Sequence, residues 1–152
     1  MLSLFRRIIF SVFCLLRGIL SPVALGALAL VEQGGKVVLV RTSYQSGWFL
    51  PGGGVARGEP PALAVMRELR EEIGLTKSTP PELVGIYVRR IWPSTNVNVL
   101  YRVREAEFDF KPNLEIREIC LADIAAPPPG TSYGVLRRFA ELTGRMPASP
   151  YW

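Results

Sequence analysis

The chain has 152 residues, 18 Lys+Arg against 13 Asp+Glu, a formal net charge of +5 and no histidine. With 49% hydrophobic and 20% charged residues it is not a disordered polymer, and its length suits one domain with a sizeable core. The lack of histidine excludes imidazole as a general base or metal ligand and leaves oxygen ligands, which favour Mg²⁺ or Mn²⁺; the positive balance suits an anionic substrate, a nucleic acid or an acidic membrane surface without choosing among them.

In chain order, the first feature is the apolar run between Arg7 and Arg17, nine residues long and too short to span a bilayer. Phe5, Ile8, Ile9, Val12, Phe13 and Leu16 recur at helical spacing, so residues 1–21 read as an amphipathic helical extension. Three readings of it stay open. It docks on its own domain or on a twin subunit as a homodimer; residues 1–20 lie as a basic helix on a membrane; or the run is a signal-peptide core with a cleavage site at Ala27-Leu28-Ala29. Cleavage there would cut a strand the domain needs. The cysteines, Cys14 and Cys120, sit far apart in apolar surroundings and read as reduced packing residues.

Residues 22–145 read as the main domain and 146–152 as a tail. "VALGALALVE" and "KVVLVRTSY" are strand-like and joined by Gln33-Gly34-Gly35, a hairpin signal. "SGWFLPGGGV" predicts a short aromatic strand running into an irregular glycine loop. Glu59, Pro60 and Pro61 mark a helix start and Gly74 its stop. "KSTPPE" predicts a loop, and Leu83–Trp92 and Asn96–Arg104 predict strands around the turn "PSTN". Ile116–Leu121 predicts a weaker strand, "AAPPPGTS" a loop, and Tyr133–Leu142 a closing helix with Val135, Leu136, Phe139 and Leu142 on one face. Strands before, between and after helices predict a mixed α/β domain.

The helix over 60–74 carries the chemistry. At about 100° per residue, Ala62, Val65, Met66, Leu69 and Ile73 form a core stripe, and Glu68, Glu71 and Glu72 gather beside it. Like charges at this spacing destabilise a bare helix, so something must neutralise them. Arg67 and Arg70 do so in a plain salt-bridged surface helix. The glycines Gly52, Gly53 and Gly54 suggest more, because backbone without a Cβ approaches a ligand closely. A loop carbonyl and helix carboxylates make an all-oxygen site for a hard divalent ion, suited to phosphate-ester chemistry.

Gly53, Glu59, Arg67, Glu68, Leu69, Glu71, Glu72, Gly74 and Leu75 reproduce every position of the box that marks the Nudix family of MutT-type hydrolases, which this chain resembles. Seven of those positions demand one residue type; at about 5–7% usage each, chance gives on the order of 10⁻⁸ to 10⁻⁹ per window. Softer similarity runs from about residue 22 to 142. The resemblance implies an α/β/α sandwich with a mixed, partly antiparallel sheet, and attack of water on a diphosphate linkage. The substrate class it implies is a small phosphorylated molecule, a nucleoside diphosphate joined to another moiety, handled in the cytoplasm; the option of membrane-surface association comes from residues 1–20, outside the shared domain. It also implies that Glu68, Glu71 and Glu72, with the Gly52 carbonyl, hold Mg²⁺ or Mn²⁺, that Arg67 orients the glutamates, and that Glu59 braces the loop. The general base implied is a box glutamate, Glu68 for one, or a later acid such as Glu115, with Glu118 a weaker rival.

Tyr44, Trp48, Tyr87, Arg89, Arg90, Trp92 and Tyr101 flank the expected site. Tyr44, Trp48 and Arg89 are the substrate-binding candidates, since rings stack on bases and guanidinium groups clamp phosphates. Burial in the core is the plain alternative for Trp48 and Tyr101, and only one of Arg89 and Arg90 should face the site. A catalytically silent nucleotide-binding module is the alternative function. No zinc-finger, helix-turn-helix or RNA-binding aromatic pattern supports a nucleic-acid partner.

Overall fold

In the computed structural model the described residues are 8–9, 11–13, 15–16, 23–91 and 94–152. From Val23 on, the described residues form eight strands and two helices in the order β1 (Val23–Gln33), β2 (Lys36–Thr42), β3 (Gly52–Gly54), α1 (Pro61–Ile73), β4 (Leu75–Lys77), β5 (Glu82–Ile91), β6 (Ser94–Val103), β7 (Glu107–Phe108), β8 (Ile116–Ala122) and α2 (Tyr133–Leu142). Gly34 and Gly35 both have positive φ, 57° and 78°, which gives the β1–β2 turn the twist a two-residue hairpin needs. The main sheet runs β5-β6-β1-β2-β8, with β3 paired antiparallel to β1. Among the named strands of the described residues, β1 and β6 are the pair that runs parallel, from Val23↔Thr95 to Val31↔Val103. β4 and β7 form a separate two-stranded sheet.

Strand alternation sends odd and even residues to opposite faces, and both faces are covered. Ala27, Ala29, Val31, Val38, Val40, Val99, Tyr101 and Val103 face α1, which contributes Ala64, Val65, Leu69 and Ile73. Leu30, Val37, Leu39 and Leu100 face the other side and meet Val135 and Phe139 of α2, with Trp48 and Leu50. A sheet buried on both faces explains why β1 and β2 read as almost unbroken apolar runs. The result is an α/β/α sandwich with a mixed, mainly antiparallel sheet, where the resemblance implies a mixed, partly antiparallel one.

Several expectations change in detail. The glycine loop is a short strand, because Gly52, Gly53 and Gly54 pair with Leu28, Ala27 and Gly26. Lys77, predicted as loop, pairs with Glu107 of β7. β6 begins at Ser94 rather than Asn96, opposite Ile91, and Trp92 lies outside the described residues. On α1 the buried face includes Ala64 and Glu72, while Ala62 and Met66 are only partly covered. Leu136, expected on the core face of α2, is exposed.

Residues 8, 9, 11–13, 15 and 16 are helical. Ile8, Ile9, Val12, Phe13, Leu15 and Leu16 are each 50–56% exposed, so these side chains are not docked on the domain. Cys14 and the flanking arginines lie outside the described residues, and Cys120 is a free, partly buried thiol against the second core. No described helix is long and apolar enough to cross a membrane. Residues 150–152 of the predicted tail lie against β5, with the Val88 N–H donating to the Pro150 carbonyl at 2.8 Å.

Candidate active site

The start of α1 is set by Pro60, extended at φ −64° and ψ 135°, and by Pro61 at the first helical position, where a missing N–H does no harm. Its end is Gly74, at φ 69° and ψ 39°, whose N–H returns to the Leu69 carbonyl. A Cβ there would also lie 2.4 Å from the Asp109 carbonyl oxygen. Glu59 does not cap this helix. Its carboxylate accepts from the Ala56 N–H at 2.9 Å and from Arg67 Nε and Nη2 at 2.9 and 3.0 Å. These charge-assisted bonds hold its pKa at about 2, chiefly through Arg67.

Arg67 is the hub of the box. Beyond Glu59, its Nη1 donates to Glu68 Oε1 at 2.8 Å and to Glu71 Oε2 at 3.4 Å, and its Nη2 donates to the Gly54 carbonyl at 3.2 Å. The guanidinium thus ties the loop, β3 and two of the three clustered glutamates together. Glu68 in turn lies flat against Gly53: a Cβ on Gly53 would sit 2.6 Å from Glu68 Cδ and 2.7 Å from each of its carboxylate oxygens. Burial raises the pKa of Glu68, with Arg67 acting against it.

Glu72 is the deepest acid, only 5% exposed. Its Oε2 accepts the Gly52 N–H at 2.7 Å. Desolvation pushes its pKa up to about 8, the Gly52 amide opposes this, and the charges of Glu115, Glu68 and Glu71 add to the rise. Glu71 is the peripheral member, its side chain 60% exposed.

Glu115 belongs to the same cluster although it follows α1 by some forty residues. Asn113 brings it there. The Asn113 amide donates to the Glu71 and Glu72 carbonyls at 3.3 and 3.4 Å, and its Oδ1 accepts from the Glu115 and Ile116 N–H groups at 2.9 and 2.7 Å. The Tyr44 hydroxyl donates to Glu115 Oε1 at 2.9 Å, and burial together with Glu115, Glu72 and Glu68 drives the Tyr44 pKa upward. Glu118 is ion-paired with Arg41 instead.

A cavity of about 320 Å³ opens beside Glu72 and Gly52, and Tyr44, Arg89 and Asn98 share its walls. Arg89 faces it and Arg90 is not among its walls, as alternation along β5 requires. Trp48 is not brought to it: the ring is buried in the second core, with the Arg41 guanidinium 4.2 Å from its centroid. Tyr101 is buried against α1. Asn98, Asn113 and Trp152, which also lines the cavity, were not singled out by the sequence; Pro112-Asn113 carries only a turn signal.

Among the described residues no three acids stand tightly enough to hold an ion, and the Glu68, Glu71 and Glu72 carboxylates are engaged by Arg67 and the Gly52 amide. The donor set nevertheless fits a hard cation. It is all oxygen, it includes a buried carboxylate whose neighbours are also carboxylates, and one of its acids fills the cradle that a Cβ at Gly53 would occupy.

The chain and its fold resemble those of known proteins. The NUDIX domain profile matches residues 20–140. The chain is 45% identical over 49 residues to an RNA pyrophosphohydrolase of Hydrogenovibrio crunogenus, covering 32% of this chain and 30% of that protein. Among solved structures, a MutT NUDIX hydrolase from Burkholderia pseudomallei superposes with a TM-score of 0.70 at 18% identity, over 79% of this chain and 98% of that one. A MutT protein from Bacillus halodurans superposes with a TM-score of 0.66 at 25% identity, over 78% and 81%.

Proposed function

Because the chain belongs to the NUDIX family, we propose that it is a metal-dependent pyrophosphohydrolase that uses water to cleave a diphosphate linkage in a nucleoside diphosphate joined to another moiety. The observation that carries this reading is Glu72, buried at the cavity wall on the Gly52 amide with three more carboxylates around it. A buried anion among anions is stabilised by a cation, and a diphosphate brings one with it. Glu68, Glu71, Glu72 and the Gly52 carbonyl would hold Mg²⁺ or Mn²⁺, which when bound offsets phosphate charge and lowers the pKa of the attacking water.

The chain's own residues do the rest. Arg67 keeps Glu68 and Glu71 on the β3 side through its bonds to both and to Gly54. Arg89 clamps phosphate oxygens at the cavity mouth. Glu115, fixed by Tyr44 and Asn113, is the acid of the cluster not needed to hold the ion, and it takes the proton of the attacking water. The new O–P bond forms as the bridging P–O bond breaks, and the leaving phosphate keeps the electron pair.

A phosphate-release screen with Mg²⁺ or Mn²⁺ over nucleoside triphosphates, ADP-ribose, dinucleoside polyphosphates, sugar nucleotides and a 5′-triphosphorylated RNA tests the proposal. Turnover of at least one nucleotide, lost in chelator, is the expected result. Tight binding without any turnover would mean a silent binding module. The RNA belongs in the screen because the name of the H. crunogenus relative favours it as a second reading, although the chain spans only 30% of that protein. Turnover of the RNA alone would replace the small-nucleotide reading.

We further propose that residues 1–20 rest on an anionic membrane surface. Ile8, Ile9, Val12, Phe13, Leu15 and Leu16 are exposed together, Arg6, Arg7 and Arg17 flank them in sequence, and no acid lies between Met1 and Glu32. The full chain should co-sediment with phosphatidylglycerol vesicles and far less with phosphatidylcholine ones. Failure to sediment, with a dimer seen by light scattering, would assign the helix to a twin subunit.

A further inference from the structure

The cavity has a wall that the family motif does not supply. β5 is the outer strand of the sheet, and residues 150–152 add to its free edge: Val88 N–H donates to the Pro150 carbonyl at 2.8 Å and Trp152 N–H to the Val88 carbonyl at 3.0 Å. Edge pairing of this kind fixes a segment through its backbone, whatever its side chains. The side chain that results is also held firmly. Arg138, only 1% exposed, donates to the Tyr151 carbonyl at 3.0 Å and to Glu141 at 2.7 Å. Its guanidinium lies 4.0 Å from the Tyr87 ring centroid and 5.5 Å from that of Trp152, and the two rings meet edge to face at 5.7 Å. On its other side the indole is seated over Gly134, in the first turn of α2, where a Cβ would come within 2.1 Å of Trp152 Nε1. A buried arginine, a tyrosine and a glycine therefore position one tryptophan, and that tryptophan lines the same cavity as Glu72, Asn98 and Arg89.

A rigid ring at this place has little reason to touch phosphate. The acids and Arg89 provide for the diphosphate, and the rest of the lining includes the Trp152 indole and an amide, Asn98, that can both donate and accept. Gly26, paired with Asn98 across β1 and β6, makes room for it, since a Cβ there would lie 3.0 Å from Asn98 Oδ1. Resting on the hydrolase reading above, we infer that Trp152 is the specificity-determining residue of this cavity, stacking on a flat aromatic base attached to the diphosphate.

The test compares a base-bearing diphosphate substrate with its abasic ribose counterpart on the wild type, Trp152→Ala, Trp152→Leu and Trp152→Phe. Trp152→Ala should raise the ratio of the two KM values between about 5-fold and 150-fold, the range for one lost stacking contact, with kcat changed far less. Trp152→Phe should recover most of the ratio, and Trp152→Leu, which fills space without a ring face, should not. Circular dichroism checks each fold; if the alanine variant is unfolded, leucine against phenylalanine gives the same reading. An unchanged ratio overturns the inference while leaving the hydrolase reading intact. If the wild type turns over nothing, the hydrolase reading fails by itself. The ratio is then read from calorimetric Kd values of imidodiphosphate analogues, and no preference for the base-bearing one overturns the stacking role.

Discussion

Glu72→Gln is expected to lower kcat/KM by about 10²- to 10⁴-fold and, in the same protein, to raise the melting temperature measured in chelator at pH 8.5. The first effect follows from removing a ligand charge at the reacting diphosphate, which is worth several kcal/mol of transition-state stabilisation. The second follows from burial. Glu72 is 5% exposed, and desolvation lifts its pKa from 4.5 to about 8. A carboxyl whose pKa is raised by folding keeps its proton in the folded state while the unfolded chain releases it. Its stability contribution is thus complete below pH 4.5, declines as pH rises, and is gone above about pH 8. The loss is roughly a few kcal/mol for a group this deeply buried. Glutamine cannot ionise and can still accept the Gly52 N–H through its amide oxygen, so the variant escapes this decline. Activity and metal-free stability then move in opposite directions, which misfolding cannot mimic. Activity within tenfold of wild type would remove Glu72 from the reaction, and a lower melting temperature than wild type at pH 8.5 would show that the buried charge is not a burden.

The box was legible because helical spacing is a local property. Glu68, Glu71 and Glu72 had to share one side of α1 once Val65, Leu69 and Ile73 claimed the core. What spacing could not tell was depth: Glu72 borders the apolar stripe and is drawn under β3, while Glu71 at the far edge stays in solvent. β3 itself was hidden because three glycines carry no strand signal, and their pairing with Gly26, Ala27 and Leu28 depends on where α1 docks. Glu115 was readable as a candidate by its place before β8, but not Asn113, whose amide meets carbonyls of a helix forty residues away. Trp48 had two readings, site or core, and the structure takes the core. An aromatic next to the glycines looks like site chemistry, yet strand alternation turns it toward Val135 and Phe139. Trp152 had no local signal at all, since its position is fixed by the edge of β5 and by Arg138.

The glycines supply the second large effect, because two neighbours should fail in different ways. At Gly53 the obstacle to a methyl group is a side chain: the added Cβ would meet the Glu68 carboxylate at 2.6–2.7 Å, while the backbone is held in register opposite Ala27. The ladder keeps its place and the carboxylate gives way, losing its hold on Arg67. Gly53→Ala should therefore fold with a melting temperature near that of wild type and lose about 10²-fold or more in kcat, the penalty expected when a positioned catalytic group is displaced by an ångström or so. At Gly52 the obstacle is backbone. Its φ is 127°, and a Cβ would lie 2.2 Å from the Ala27 carbonyl oxygen and 2.9 Å from Leu28 Cα. No rotamer relieves that clash, and the left-handed side of φ adds strain of its own. Gly52→Ala should lose about 3 kcal/mol of stability or more, with soluble yield falling alongside activity. Denaturant titration and steady-state kinetics on the pair separate the outcomes. Gly53→Ala with full activity would mean that the position of Glu68 does not matter to the chemistry, and parallel loss of stability in both variants would mean that β3 serves the fold and not the site.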